Sequence, residues 1–264
     1  MHLGVNVPNF GPGTDPGVLR EWAATVEGLG FDLLMVSDHV AITPDVAERY
    51  PEPFYEPFTT LSWLAGITTK VRLGTTVLVL PYRHPLLVAR MATNLDQLSD
   101  GRLVLGVGAG WSPQEFAALG VPHAERGRLT DEYLATLRAE IPTIPIWVGG
   151  NSKTAIRRAI RFGDAWHPLR NTLPWLRSAV TDYSKLAFAP RIALRLTDEP
   201  GEDGERLAGV GTLDQILGDL DELRSLGAGT VLLDPYHGDP EETRRPQAAW
   251  QALTAVAAHW RTAS

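Results

Sequence analysis

Eight short apolar runs punctuate this sequence, and a stretch with helical spacing follows each of them. The runs are His2 to Val7, Leu33 to Val36, Val71 to Val79, Arg102 to Val107, Ile144 to Val148, Asp164 to Trp166, Arg191 to Leu196 and Thr230 to Leu233. Val71 to Val79 is β-branched and nearly free of polar alternation, the pattern of a strand buried on both faces. The segment from Val71 to Trp111 shows the repeating unit. Its strand leads through a turn at Pro81–Pro85 into a helix, in which Leu86, Val88, Met91, Leu95 and Leu98 recur until Asp100-Gly101. A parallel strand follows and ends in Gly108-Ala109-Gly110-Trp111. Eight such alternations with no change of composition predict an α/β chain: one (β/α)8 TIM-like barrel domain over residues 1–264. Two insertions are expected in βα loops, Val40 to Glu56 and an irregular Ser112 to Arg126. An open doubly wound sheet fits eight alternations less well.

Composition narrows the function. The formal charge is −7 with scattered basic residues, whereas a nucleic-acid binder concentrates a basic face. With no cysteine at all, thiol nucleophiles, disulfides and thiolate metal sites are excluded. The start, MHLGVNVPNF, lacks the basic and apolar regions of a secretion signal, and no run is long enough to span a bilayer. The expectation is a cytoplasmic protein acting on a small molecule, without nucleic-acid or membrane partners.

In an eight-stranded α/β barrel the active site lies at the C-terminal ends of the strands. Asp38-His39 follows a strand directly, so it reads as a carboxylate orienting a proton-exchanging imidazole; a capping carboxylate beside a solvated histidine is the alternative. Gly149-Gly150-Asn151-Ser152 joins a strand to a helix. Backbone N–H groups there suit a phosphate, with Lys153 and Arg157 as further charge, although an ordinary turn with an N-cap serine has the same sequence. Gly106-Val107-Gly108-Ala109-Gly110 lacks the rest of a dinucleotide fingerprint but suits close passage of a planar ligand. Thr75-Thr76-Val77, on spacing alone, is ordinary strand. The seven histidines have no metal-binding spacing, and no G-x-S-x-G elbow appears, so neither a metal centre nor a serine hydrolase is indicated.

The run RLGTTVLVLPYRHPLLVARMATNLDQLSDGRLVLGVGAGW resembles the luciferase-like monooxygenase superfamily, and within it the branch that uses the deazaflavin coenzyme F420. FDLLMVSDHV, ERGRLTDEYL and IPIWVGGNSKTAIRRAIRFGDAWHP agree with it, so the resemblance covers roughly residues 1–170. It implies a barrel whose mouth holds the deazaflavin ring, buttressed by a non-prolyl cis peptide at Thr76–Val77. It further implies Asp38 and His39 at the ring, with His39 as the proton donor or acceptor for the substrate. Gly149 and Gly150, with Asn151 and Ser152, would hold the phosphate; Gly108 and Gly110 would lie along the cofactor tail, and Gln114 matches a position that is polar in some relatives. The chemistry implied is hydride transfer at the deazaflavin C5. An FMN-dependent two-component monooxygenase, or a barrel that only binds a flavin or deazaflavin, are the alternatives. Relatives are often dimers, so a homodimer is an expectation of the same kind.

Two departures limit the analogy. Sugar-phosphate dehydrogenases of the superfamily carry an acid after the second glycine of Gly-x-Gly, where this chain has Trp111. The joints at Ile141–Thr143 and at Ala179–Pro190 are also shorter than in relatives, and both flank the expected substrate pocket.

Overall fold

A computed structural model describes residues 1–182 and 187–260. Eight parallel strands form the barrel: β1 His2–Asn6, β2 Leu33–Val36, β3 Arg72–Thr75, β4 Leu103–Gly108, β5 Ile146–Gly149, β6 Ala165–His167, β7 Arg191–Ala193 and β8 Thr230–Asp234. They pair in the order β6-β5-β4-β3-β2-β1-β8-β7. The remaining seam closes through bridges Trp166–Phe188 and Leu169–Arg191. Eight helices surround them: α1 Pro16–Gly28, α2 Pro57–Ala65, α3 Pro85–Leu98, α4 Arg126–Glu140, α5 Lys153–Phe162, α6 Leu173–Asp182, α7 Leu213–Ser225 and α8 Pro246–Trp260. The eight expected strands are therefore all present, each within a residue or two except the third and seventh. The sequence predicts the sixth helix over Leu173 to Tyr183; α6 is described to Asp182, and Tyr183 lies outside the described residues.

Alternation along the strands separates two cores. Leu34 and Val36, Leu103 and Leu105, and Val231 and Leu233 face outward into the large core beneath the helices. Leu33, Met35, Val104, Trp147, Ala165, Ala189 and Leu232 face inward and fill the lower barrel. The inward positions of β3 and β4 include Gly74 and Gly106. A Cβ on Gly74 would meet the Val104 carbonyl oxygen at 2.4 Å and the Met35 Cε at 2.9 Å, so the flexible Met35 takes the space those glycines vacate. Two residues further up, the inward set turns polar or small: Asn6, Ser37, Gly108, Gly149, His167 and Asp234. That change of chemistry makes the upper rim a floor for a ligand rather than more core.

The run expected as one strand from Val71 to Val79 is interrupted. Residues Arg72–Thr75 pair with both neighbours, the Thr76–Val77 peptide is cis, and pairing with β4 resumes at Leu78–Val79. The seventh run divides likewise: β7 ends at Ala193, and Arg195–Leu196 pairs with Val210–Gly211 in a separate two-stranded sheet. The Ser112–Arg126 insertion is ordered, not irregular: it holds a loop helix Pro113–Ala118 and a 3-10 turn His123–Glu125. The short joint at Ile141 is a tight turn in which the Ile144 N–H returns to the Ile141 carbonyl. Among the described residues no helix is long and apolar enough to cross a membrane.

Candidate active site

A cavity of about 640 Å³ opens at the C-terminal ends of the strands. Ser37, Asp38 and His39 line it after β2, Thr76 and Val77 after β3, Gly108 to Trp111 after β4, and Gly149, Gly150 and Ser152 after β5. Segments distant in sequence thus meet at one rim. Of the residues expected there, Asp38, His39, Thr76, Val77, Gly108, Gly110, Gly149, Gly150 and Ser152 border the cavity. Gln114 does not: it is exposed on the loop helix and outside the lining. Asn151 is also outside the lining; its side-chain amide donates to the Leu169 carbonyl at 2.9 Å and its oxygen accepts from the Leu169 N–H.

His39 is nearly buried and its environment is specific. Its Nδ1 lies 2.7 Å from Glu115 Oε2. The same oxygen accepts from the Tyr82 hydroxyl at 2.9 Å, while Oε1 accepts from the Val40 and Ala41 N–H groups. The Glu115 side chain is fully buried. Burial alone would raise its pKa, but the His39 contact, the Val40 N–H and the Tyr82 hydroxyl together hold it below the ordinary range. An ionised carboxylate can only accept, so Nδ1 carries the proton and Nε2 is left for the cavity. Tyr50 stacks on the ring at 5.1 Å, and Phe54 and Trp111 meet it edge-on at 5.5 and 5.8 Å.

The residue that sequence reasoning missed here is Glu115. Its signal was available: Ser112-Pro113-Gln114-Glu115 has the form of a helix start, and the Ser112 hydroxyl does accept the Glu115 N–H at 3.0 Å. The Ser112 hydroxyl also donates to Asp45 at 2.7 Å, clamping the loop after β4 to the loop after β2.

Asp38 is occupied differently. Arg83 grips both its oxygens at 2.8 Å, and the Val79 N–H donates to one of them. Burial pushes the Asp38 carboxyl above its usual value, and the bidentate guanidinium pulls against that. Asp38 therefore pins the chain just beyond the Thr76–Val77 peptide to the end of β2.

The glycines around Val77 have a steric cause. A Cβ on Gly108 or on Gly149 would stand 2.6 Å from a Val77 methyl. Val77 thus fits between β4 and β5 because both present glycine there. Beneath it, Arg191 donates to the Thr76 carbonyl at 2.9 Å and pairs with Asp234, which also holds Arg170 and the Asn6 amide. His167 donates from Nδ1 to the Ala189 carbonyl and accepts the Thr76 hydroxyl at Nε2, 2.9 Å away. Burial, reinforced by the nearby Arg191 charge and opposed by the Ala189 bond, drives its pKa down to about 4.

At the opposite end, α5 begins at Lys153 with Ser152 as N-cap, and Gly150 has φ 121°. A Cβ on Gly150 would meet that of Ala155 at 2.9 Å, so the turn stays bare at the helix N-terminus. The cations lining this end are Arg126 and Arg158, not Lys153 and Arg157, which are exposed and outside the lining. Arg158 pairs with Asp131, while Arg126 makes no ion pair among the described residues. Bare turn, N-terminus, hydroxyls and guanidinium form a donor set that fits a phosphate.

The model of the luciferase-like monooxygenase family matches residues 1–141. The chain belongs to that family. A relative, an uncharacterized protein of Mycobacterium tuberculosis, is 32% identical over 180 residues, which is 54% of this chain and 62% of that protein. The chain thus spans less than two thirds of that relative's length. The fold of this luciferase-like chain is similar to that of coenzyme F420-dependent tetrahydromethanopterin reductase from Methanopyrus kandleri, with TM-score 0.71 and 15% identity over 97% of both chains. It is equally similar to the oxygenating constituent of 3,6-diketocamphane monooxygenase from Pseudomonas putida, solved with FMN, with TM-score 0.74 and 16% identity over 97% of both. At such identities the likeness is one of fold.

Proposed function

We propose that this luciferase-like protein transfers a hydride between coenzyme F420 and a small organic substrate, with His39 exchanging the substrate's proton. The observation that carries the reading is the single cavity joining a phosphate-type donor set at Gly149–Ser152 to the His39–Glu115 pair. When bound, the deazaflavin supplies a hydride donor or acceptor at its C5, and the protein supplies orientation and the proton. Gly149, Gly150, Ser152, Arg126 and Arg158 would hold the phosphate. Thr76 and Val77, kept in place by Asp38, Arg83 and Arg191, would support the ring. His39 holds its Nδ1 proton against Glu115, so its free Nε2 would take the hydroxyl proton as an alcohol loses hydride to the coenzyme, and the imidazolium so formed would return that proton to the carbonyl-type oxygen in the reverse direction. Tyr50, Phe54 and Trp111 keep water from that nitrogen.

The fold's likeness to the Pseudomonas putida monooxygenase constituent, which was solved with FMN, favours a second reading, FMN in the same cavity. Titrating the protein with each coenzyme while following tryptophan fluorescence separates the two. Saturable binding of coenzyme F420, with turnover abolished but binding kept in His39→Asn, is the expected result. Tight FMN binding with no response to coenzyme F420 overturns the choice of coenzyme.

A further inference from the structure

Resting on the reading of the cavity as a coenzyme site, we infer that its His39 arm takes a neutral, flat, apolar substrate with one carbonyl or imine, and rejects anions, phosphorylated compounds included.

The charges are divided between the two arms. Around His39, the carboxylates Asp38, Asp45, Glu56 and Glu115 are gathered by short contacts. Arg83 bridges Asp38 at 2.8 Å and Glu56 at 3.1 Å, Glu115 holds His39, and Asp45 is tied through Ser112 to the loop that carries Glu115. Two of these carboxylates, Asp38 and Glu115, have fully buried side chains; Arg83 compensates Asp38, while Glu115 is held by His39. On the same loop, Glu48 and Arg49 are both exposed and outside the cavity lining. The cavity-lining cations are elsewhere: Arg126 and Arg158 at the α5 end, and Arg191 on the floor with its charge engaged by Asp234. An anion about 8 Å from one uncompensated carboxylate, at an effective dielectric near 20, is disfavoured roughly thirty-fold.

The rim is apolar. Trp111 and Val40, on the two loops beside His39, remain 46% and 45% exposed, and Trp111 lines the cavity itself. Single exposed apolar residues are ordinary, but an exposed indole lining a concave mouth beside a second exposed apolar side chain marks what it accepts. The exposed Trp111 indole offers a stacking surface, and His39 Nε2, when it carries a proton, supplies a polar contact to a carbonyl-type oxygen at that end.

Three probes of one shape test this on the full chain by calorimetry near pH 7.5, with the α5 end of the cavity saturated by inorganic phosphate: 2-acetylnaphthalene, 2-naphthoate and 2-naphthyl phosphate. The ketone is expected to bind at least about ten-fold tighter than either anion. Glu56→Gln is expected to raise naphthoate affinity about three-fold and leave the ketone unchanged. Either anion binding as tightly as the ketone, or no probe binding, overturns the inference. Coenzyme titration of the same protein in phosphate-free buffer keeps the two readings apart. Coenzyme binding without discrimination among probes removes only the substrate class, and discrimination without coenzyme binding removes the coenzyme reading.

Discussion

Glu115 and His39 stand 76 residues apart in the chain and 2.7 Å apart in the fold. The orientation of the carboxylate is set from its other side, where Oε1 accepts two backbone N–H groups. In Glu115→Gln those N–H groups keep the amide oxygen, so the NH2 faces His39 Nδ1. A donor facing a donor drives the imidazole proton to Nε2, which can then no longer take the substrate's hydroxyl proton. Turnover is expected to fall about ten- to hundred-fold, within the range that positioned proton transfer contributes. Nitrogen NMR of His39 reads the tautomer directly, and an unchanged Nδ1–H form would refute the account.

Arg83 carries a second prediction. It meets Asp38, whose side chain is fully buried, with two parallel 2.8 Å bonds. Arg83→Met leaves that carboxylate in the interior without its charge partner, at a cost of about 3–5 kcal/mol. Asp38→Asn with Arg83→Met removes both charges and is expected to recover part of the loss. Urea denaturation of the three variants measures this, and a double variant no better than Arg83→Met contradicts it.

The barrel was legible because its strands are local statements: Leu33 to Val36 and Thr230 to Leu233 are apolar enough to require burial on both faces wherever they fall. The phosphate-type turn at Gly149–Ser152 was legible for the same reason, being one strand end and one helix start. Pairing partners were not. Nothing adjacent to Glu115 in sequence announces that its carboxylate will meet His39, and the choice of Gln114 missed by one position on a helix of only six residues. Arg158 and Arg191 were hidden likewise, since each reaches the cavity from an element whose own pattern reads as helix or strand, and Arg126 closes a stretch that reads as an irregular insertion. The break after Thr75 interrupts a run that is uniformly β-forming by composition, and it was anticipated only through family resemblance.

Val77 and its two glycines give a third prediction. Alanine at Gly149 places a Cβ 2.6 Å from Val77 Cγ1, too close for any rotamer of a β-branched side chain to absorb. Gly149→Ala is expected to cost about 1–3 kcal/mol through overpacking. Val77→Ala in the same chain removes the colliding methyl and is expected to return a good part of it, a coupling of about 0.5–3 kcal/mol. Strictly additive costs in chemical denaturation would show that the two side chains do not compete for the space.

His167 makes stability depend on pH. The unfolded imidazole takes up a proton near pH 6.5, whereas the buried one, held by Ala189 and Thr76 beside Arg191, resists until about pH 4. Between those values the unfolded chain binds more protons than the native one, so acid favours unfolding. The stabilisation is complete above about pH 6.5, shrinks as pH falls toward 4, and amounts to about 3 kcal/mol. Asp234, whose pKa Arg191 and Arg170 hold low against the effect of burial, extends the loss to still lower pH. His167→Gln keeps a polar group against Thr76 but cannot titrate. Its unfolding free energy is expected to lie below the wild type at pH 7.5 and to fall much less between pH 6.5 and 4. Parallel curves for the two proteins across that interval would assign the acid sensitivity to other groups.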